Sequence, residues 1–513
     1  MGRGSADEAA LAGVAAGAVT LGLAEIGAGL LTRTGRAGGT PSPLLAVADS
    51  VVDRSPAWLR DFAISAFGAA DKAVLLTGMG LGLIAICAGI GLLAPRWMTT
   101  AMVAFAVVGA AGTTAVLTRP GARLGDVVPT VLAVVAGLLV LRRLTGLRPA
   151  VTSSAELPEG TGRRSALMWG ASATVLGVLG ILAGRALSSA GEVVRAAREM
   201  FTVPSVAEPV AIPAAADPGV PGQTSYLTQN AAFYRIDTAL AVPQVDPATW
   251  RLRVHGLVEQ EVEIDFGELL DQPMTEALVT LACVSNQVGG DLAGNAVWTG
   301  WPLRELLARA GPLPEADMVL STSDDGWSAG TPLEVLTDER NALLAVGMNG
   351  QPLPPEHGFP VRMVVPGLYG YVSATKWVVD LKVTRFADDE GYWTPRGWST
   401  RGPIKTASRI DVPGAGSIEA GPTVIAGVAW AQHRGISAVE VRIDDGPWQQ
   451  TTLAAEPTVD AWRMWHLDWD AAAGEHILTV RATDDSGELQ TEQTAPTVPD
   501  GASGWHSVQV EVT

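Results

Sequence analysis

The chain has 513 residues, a hydrophobic content of 48% and a formal net charge of −18 at pH 7. The acidic residues behind this charge are concentrated after residue 200. An acidic surface repels polyanions, so we exclude nucleic acid as a partner of that part of the chain. With only two cysteines, Cys87 and Cys283, the sequence contains neither a CxxCH haem motif nor the ligands of a four-cysteine iron–sulfur cluster.

Long apolar runs dominate the first 190 residues. Each is close to the ~20 residues that a helix needs to cross a bilayer, and their many glycines would let helices approach closely. We predict an N-terminal α-helical transmembrane bundle over residues 1–190, and therefore a multi-pass protein of the cell membrane in contact with lipid. Residues 40–70 carry too many charges to span and are predicted to form an interfacial helix. The runs lie near residues 9–31, 73–94, 98–118, 125–144 and 166–187.

Two consecutive arginines, Arg163 and Arg164, stand just before the last apolar run. They resemble a twin-arginine export signal, and that pathway moves folded domains, as a cofactor loaded in the cytoplasm would require. The alternative is that they are ordinary cytoplasmic anchors. Both interpretations place the loop at 142–164 in the cytoplasm. We therefore expect the residues after 190 to be extracytoplasmic.

The rest of the chain divides into three segments. Residues 191–224 are rich in proline and are predicted to be an extended linker without a core of its own. Residues 225–405 alternate strand-like runs with short helical stretches, which indicates an α+β domain. Residues 406–513 contain strands separated by turns such as Asp444-Asp445-Gly446, and this pattern predicts a small all-β sandwich.

Cys283 is the only cysteine outside the apolar runs, and His357, Arg362 and Lys376 follow it later in the sequence. A thiolate suits a soft metal and cations suit an anionic group, so this set indicates a soft metal carried on an anionic cofactor. Two alternatives use the same residues. Cys283 could be a buried apolar cysteine, or it could be the nucleophile of a hydrolase in which His357 is the base.

Three motifs, taken in order and with their spacing, resemble the sulfite oxidase family of molybdopterin-dependent oxidoreductases. They are Leu281 to Asn286, His357 to Gly367, and Lys376-Trp377. The resemblance implies that residues 225–405 bind molybdopterin and that residues 406–513 form the immunoglobulin-like domain that dimerises in that family. It further implies oxygen-atom transfer at a molybdenum cofactor, with a homodimer as a candidate assembly. The apolar N-terminal region is not part of the usual plan of the family.

The resemblance also implies roles for individual residues. Cys283 would ligate the molybdenum and be catalytic. The phosphate of molybdopterin would be bound by cationic side chains and by backbone amides of the turn at 370–375. The interval from Gly370 to Lys376 is one residue longer than in the family. The implied cofactor-binding residues are Tyr234, Arg235, Cys283, Asn286, His357, Arg362, Ser373 and Lys376.

Two departures from the family bear on the substrate. Paired arginines of sulfite oxidases are replaced here by Gln287 and Val288, and a tyrosine near the metal is replaced by Trp398, which we predict to be catalytic. A pocket that lacks this cation and this hydroxyl suits a small dianion poorly. We therefore expect a larger, less charged substrate, such as a sulfoxide or an N-oxide, rather than sulfite.

The histidines bear on electron transfer, because all six lie after residue 254. The apolar region therefore cannot bind haem through histidine, and we expect an external electron carrier or a membrane redox partner. A further alternative is that the chain has the fold of this family but no catalytic activity. In that case the chain would be a catalytically inactive, membrane-tethered binding protein.

Overall fold

A computed structural model describes residues 3–34, 36–56, 59, 71–146, 161–188 and 191–513. Contacts between Cα atoms divide the chain into two compact units. The first comprises Met1–Val193 and Ala239–Gln244, and the second comprises Val194–Thr238 and Val245–Thr513.

The first unit is helical. Within the described residues, five helices are long and apolar enough to cross a membrane, and they coincide within a few residues with the predicted runs. These candidate spans are Ala6–Arg33, Val74–Leu93, Met98–Leu117, Leu124–Thr145 and Met168–Leu187. The helices themselves are α1 (Arg3–Arg33), α2 (Pro43–Arg54), α3 (Asp71–Leu93), α4 (Met98–Leu117), α5 (Val128–Gly146) and α6 (Thr161–Ser188).

Small residues let α1 pack against its neighbours at close range. A side chain on Gly13 would overlap the backbone of Cys87 in α3, and one on Gly177 in α6 would overlap Ala18. Such close approach is typical of helices that associate in lipid, where apolar contact alone gives little drive.

Two predictions about this unit are partly covered by the structure. The interfacial helix predicted within 40–70 corresponds to α2, which begins after an N-cap at Ser42, while residues 57, 58 and 60–70 lie outside the described residues. The loop predicted at 142–164 is shorter than expected, because α5 continues to Gly146 and α6 starts at Thr161. Residues 147–160 lie outside the described residues.

The first half of the second unit contains two mixed or antiparallel sheets and short helices. The strands are β1 (Arg251–Gly256), β2 (Val262–Asp265), β3 (Thr275–Ala282), β4 (Ala293–Pro302), β5 (Met318–Ser323), β6 (Ser328–Pro332), β7 (Leu343–Met348), β8 (Gln351–Pro352), β9 (Arg362–Val364) and β10 (Val378–Thr384). One sheet has the order β2-β1-β10-β5-β6, and the other has the order β3-β4-β7-β8 with β9 paired to β7. The helices are α7 (Gly191–Met200), α8 (Phe266–Leu270), α9 (Leu303–Ala310) and α10 (Leu333–Thr337).

The sheet built on β3 and β4 carries the core that supports the candidate site. Trp298 of β4 and Phe359 are fully buried in it, together with Val279 of β3 and Val364 of β9. Burial of such large side chains is the main favourable contribution to folding. The strand ends at Ala282 and Arg362 are therefore fixed in space.

Residues after 406 form two further sheets that share one hydrophobic core. The sheets have the orders β11-β13-β17-β16 and β12-β19-β18-β14-β15. Ile425 and Trp465 from the first pack with Val480 and Val510 from the second. The predicted all-β character of this segment is confirmed, whereas its immunoglobulin-like identity stays a prediction. The strands are β11 (Ala407–Val412), β12 (Gly416–Ile418), β13 (Gly421–Trp430), β14 (Ile436–Ile443), β15 (Trp448–Gln450), β16 (Thr452–Leu453), β17 (Arg463–Ala471), β18 (Gly474–Asp484) and β19 (His506–Val512).

The segment at 191–224 differs from the extended linker that its prolines predict. It begins with helix α7, whose Val194 is buried in the core of the β3–β4 sheet. Arg198 of this helix donates to the carbonyls of Pro352 and Leu353, at 2.9 and 2.8 Å. Farther along, Gln223 donates to the carbonyl of Gly427 at 2.8 Å. The segment is held by the buried side chain of Val194 and by these hydrogen bonds.

Candidate functional site

Cys283 directly follows β3, in a loop that closes on itself. Its N–H donates to the carbonyl of Leu292 at 2.9 Å, and the side-chain oxygen of Asn286 accepts from the N–H of Leu292 at 2.9 Å. The N–H of Ser285 lies 3.4 Å from the Cys283 sulfur. Gly289 turns the loop with a φ of 75°, which residues with a side chain rarely adopt. The thiol is therefore held in place and is 9% exposed.

The loop that carries the thiol, residues 283–292, contains no lysine or arginine. Burial raises the pKa of Cys283, and hydrogen bonds from Ser285 oppose this increase only in part. No hydrogen bond joins Cys283 to His357 within the described residues, so the nucleophile and base of a cysteine hydrolase are not brought together.

Cys283 affects the pKa of two tyrosines. Burial raises the pKa of Tyr234, and Cys283 raises it further, while Arg362 lowers it. Burial raises the pKa of Tyr369 to about 12, and Cys283 acts in the same direction. Both hydroxyls therefore keep their protons at neutral pH and can donate hydrogen bonds. A methyl group on Gly370 would lie 4.0 Å from the Tyr234 hydroxyl and 3.9 Å from the carbonyl of Ala282, the residue before the cysteine.

Arg362 is a buried cation at the start of β9. It is 5% exposed, and its guanidinium lies over the ring of Trp298, with 4.9 Å from Cζ to the ring centroid. It donates to two backbone carbonyls, those of His357 at 3.2 Å and Met363 at 3.3 Å. Within the described residues no carboxylate forms an ion pair with it. Burial lowers the pKa of Arg362 to about 10, so it remains charged at neutral pH.

Lys376 and Arg235 share one carboxylate. Asp237 accepts from Lys376 Nζ at 2.7 Å and from Arg235 Nε at 2.8 Å, and its own side chain is 4% exposed. Burial lowers the pKa of Lys376 to about 8, although Asp237 raises it. Lys376 also lies over the ring of Trp377, at 4.7 Å from its centroid.

His357 lies at the centre of this cationic cluster. Burial lowers its pKa to about 4, and Arg362, Lys376 and Arg235 lower it as well. The ring is therefore neutral at pH 7. Its Nε2 lies 3.2 Å from the carbonyl of Asn230, which can only accept, so Nε2 carries the proton and Nδ1 is free of one.

Comparisons with known proteins identify the family. A profile for the oxidoreductase molybdopterin binding domain matches residues 239–393. The oxidoreductase YuiH of Bacillus subtilis is 35% identical over 157 residues, which cover 31% of this chain and 76% of YuiH. The chain belongs to the sulfite oxidase family of molybdopterin-dependent oxidoreductases. The matched segment, residues 239–393, is the molybdopterin-binding domain of this family.

Longer members of the sulfite oxidase family match over a larger part of this chain. Mitochondrial sulfite oxidase of Mus musculus is 32% identical over 341 residues, which cover 56% of this chain. The chain spans 62% of the length of that protein. The crystal structure of the sulfane dehydrogenase SoxCD from Paracoccus pantotrophus aligns with 56% of this chain and 82% of its own, at 25% identity and a TM-score of 0.49.

The residues present fit the cofactor of this family. Within the described residues, no three His, Cys, Asp or Glu side chains converge on one point, so the protein offers a metal a single thiol rather than a cage. Lys376 and Arg235 share the carboxylate of Asp237, and Arg362 pairs with no carboxylate in the described residues. A phosphate would supply negative charge for these three cations. Cys283 would hold the metal, and the cationic cluster would hold the phosphate.

Three sets of groups predicted to contact the cofactor instead form hydrogen bonds within their own turn or loop. Ser373 donates its hydroxyl to the carbonyl of Tyr369 at 3.0 Å and is fully buried. The amides of Val372 and Ala374 bond within the same turn, so the predicted row of free amides at 370–375 is not present at these positions. Asn286 uses its side-chain oxygen to close the Cys283 loop. These residues shape the backbone around the site, and their contact with the cofactor stays a prediction.

Trp398 lies in an aromatic group that is separate from these cations. Its ring centroid is 5.8 Å from that of Tyr371 and 6.3 Å from that of Trp393. Within the described residues no hydrogen bond or ring contact joins it to Cys283. The hydroxyl of Tyr371 donates to the carbonyl of Ser399 at 2.8 Å. The catalytic role of Trp398 stays a prediction.

Sequence reasoning missed Tyr369 and Asp237. Tyr369 follows the His357–Gly367 motif, and its position beside Cys283 depends on how that segment folds back onto β3. Asp237 has a signal in the sequence, since it stands two residues after Arg235 and forms an ion pair with it. Its pairing with Lys376 joins residues far apart in the chain and has no local pattern.

Proposed function

We propose that this chain is a membrane-anchored molybdenum oxidoreductase that transfers an oxygen atom to or from a small, weakly charged substrate such as a sulfoxide or an N-oxide. Residues 225–405 would bind the cofactor, and residues 406–513 would form an immunoglobulin-like domain and support a homodimer. The catalytic part would be extracytoplasmic. Electrons would be exchanged with an external carrier or a membrane redox partner.

The observation that carries this proposal is the composition of the Cys283 loop, because residues 283–292 contain no lysine or arginine. Arg409, which bonds to the carbonyl of Gly290, is already paired with Asp411 at 2.7 Å. A dianion such as sulfite would find no unpaired counter-charge in this loop and would bind at a high cost in desolvation. A neutral oxygen donor avoids that cost. Sulfite is therefore the weaker candidate.

Cations farther along the chain are engaged elsewhere, which supports the same choice. Lys405 forms an ion pair with Asp500 at 2.8 Å, and Arg401 lies near Glu334 at 3.5 Å. Arg396 lies over the ring of Tyr392, at 3.7 Å from its centroid. Recruiting any of them for a substrate anion would require breaking these contacts.

The chain's own residues would orient the substrate. The bound cofactor supplies two-electron redox chemistry at its metal. Tyr234 and Tyr369 keep their protons because burial raises their pKa, so each can donate a hydrogen bond to an oxygen of the substrate. The aromatic group of Tyr371, Trp393 and Trp398 would cover the apolar part of the substrate and exclude water.

A substrate comparison on the detergent-purified enzyme tests the proposal. Reduced viologen should be oxidised by sulfoxides or N-oxides, whereas sulfite should reduce ferricyanide slowly or not at all. Val288→Arg would place a cation in the Cys283 loop, and Val288→Met is the uncharged control. Efficient oxidation of sulfite by the wild-type enzyme, with no reduction of any sulfoxide or N-oxide, would overturn the substrate assignment.

A further inference from the structure

The loop that carries Cys283 is fixed at its tip by the C-terminal β segment. Arg409 of β11 donates from Nη1 to the carbonyl of Gly290 at 2.8 Å. The imidazole of His506, at the start of β19, packs against Gly289, where any side chain would overlap the ring. The loop is thus closed at its base by Cys283 and Leu292, and held at its tip from another part of the fold.

Arg409 is itself rigidly placed. It is 8% exposed, and each of its three nitrogens has an acceptor. Besides the bond from Nη1 to the Gly290 carbonyl, Nε donates to Asp411 at 2.7 Å and Nη2 donates to the Thr224 hydroxyl at 2.9 Å. A planar guanidinium with three partners has little freedom, so its position determines that of the Gly290 carbonyl.

The strand that leads to Cys283 is anchored by the same segment. Thr280 of β3 lies three residues before the cysteine. Each of its polar groups bonds to a residue after 406, and its hydroxyl also donates to Asn295 of β4 at 3.0 Å. Its N–H donates to the carbonyl of Asp460 at 3.0 Å, and its carbonyl accepts from Gln432 at 2.8 Å. Its hydroxyl accepts from the N–H of Trp462 at 2.8 Å. The cysteine is therefore supported on both sides.

We infer that Arg409 and His506 are positioning residues for the cysteine ligand. Residues 406–513 therefore complete the metal site, in addition to any role that they have in assembly. They touch neither substrate nor cofactor and act through the backbone of Gly289 and Gly290. The inference rests on the proposed function, because Cys283 is a ligand only if a metal binds there. The contacts that hold the loop are present in the cofactor-free protein.

Thiol labelling of the full-length, cofactor-free protein tests this inference. Arg409→Lys keeps the charge beside Asp411 but cannot reach all three acceptors. We expect iodoacetamide to modify Cys283 roughly tenfold faster or more in this variant, because local opening of the loop becomes easier. Peptide mapping separates Cys283 from Cys87. Arg463→Lys is the control, since the Arg463 side chain bonds the carbonyls of Ala454 and Ile436 and none in the Cys283 loop, and it should label at the wild-type rate.

A second set of variants keeps the inference testable if Arg409→Lys fails to fold. His506→Ala should also accelerate labelling, because it removes the ring that packs against Gly289, and a wild-type rate in this variant would overturn the role of His506. In loaded enzyme, the Mo(V) electron paramagnetic resonance spectrum should shift in Arg409→Lys and remain unchanged in Arg463→Lys. Labelling of Arg409→Lys at the wild-type rate would overturn the inference. If wild-type enzyme contains no molybdenum, the proposed function fails, while the labelling result still decides the positioning role.

Discussion

Asp237 accepts hydrogen bonds from Lys376 at 2.7 Å and from Arg235 at 2.8 Å, and so joins two cations that are far apart in sequence. It is the carboxylate that partly neutralises a cluster built to bind an anion. Without the cofactor, this pairing limits repulsion among Arg235, Lys376 and Arg362. With the cofactor bound, a phosphate would share that task.

Asp237→Asn should therefore destabilise the cofactor-free protein more than the loaded enzyme. Breaking a buried ion pair leaves a desolvated charge and costs roughly 3 kcal/mol. The bound phosphate would recover part of this loss. Denaturant titration of both forms measures the difference. Asp389→Asn, which breaks the more exposed pair with Lys382, should cost ~1 kcal/mol or less in either form. Equal losses in the two forms of Asp237→Asn would contradict a phosphate at this cluster.

Arg362→Met should separate binding from folding. Arg362 has no carboxylate partner in the described chain, so an apolar side chain of similar length should change the unfolding free energy of the cofactor-free protein by only about 1 kcal/mol. Its molybdenum content should fall at least several-fold, because the buried cation for the phosphate is lost. Arg309→Met removes a comparable contact, with Arg309 over Trp301 at 4.4 Å, and should retain molybdenum. A fully loaded Arg362→Met enzyme would exclude Arg362 as a phosphate ligand.

His357 should make the cofactor-free protein sensitive to acid. Its pKa falls from 6.5 to about 4 on folding, so the unfolded chain binds more protons between these values. Stability contributed by the neutral ring is complete above pH 6.5 and is lost as the pH falls toward 4, by at most ~1.4 kcal/mol per pH unit. Urea titrations from pH 7 to 4.5 should give a smaller slope for His357→Gln. The exposed-site variant His433→Gln should keep the wild-type slope, and the same slope in all three proteins would contradict burial of a neutral His357.

Val288→Arg should shift the substrate preference toward sulfite. A cation in the Cys283 loop would lower the cost of binding a dianion, and we expect kcat/KM for sulfite to rise by about tenfold, or ~1.4 kcal/mol in the barrier. Activity on sulfoxides should not rise. Val288→Met separates charge from size. If both variants change sulfite oxidation equally, the lack of a cation is not what determines the substrate.

Much of the architecture could be predicted from the sequence, because its signals are local. Hydropathy located the five candidate spans within a few residues, and alternating runs located strands such as β1 and β14. The fold of residues 191–224 could not be predicted in this way. Prolines there do prevent regular strands, but the sites that hold Val194 and Gln223 are created by distant sheets.

The candidate site was predictable to a similar extent. Motifs identified Cys283, His357 and Arg362, and in the structure Arg362 donates to the carbonyl of His357 at 3.2 Å. The use of Ser373 and Asn286 within their own turns depends on backbone geometry that residue identity does not specify. Tyr369 and Arg409 reach the cysteine only through folding, so no spacing in the sequence indicates them.

The most direct test of the central claim is the molybdenum content of the detergent-purified protein, measured by plasma mass spectrometry in a host that loads other molybdoenzymes. Cys87→Ser is the matched control, because Cys87 lies in α3 and has no place in the site. We predict about one molybdenum per chain in the wild type and in Cys87→Ser. In Cys283→Ser the metal should be lost or redox-inactive. Wild-type protein without molybdenum, or a Cys283→Ser protein with normal metal and normal redox behaviour, would contradict the account.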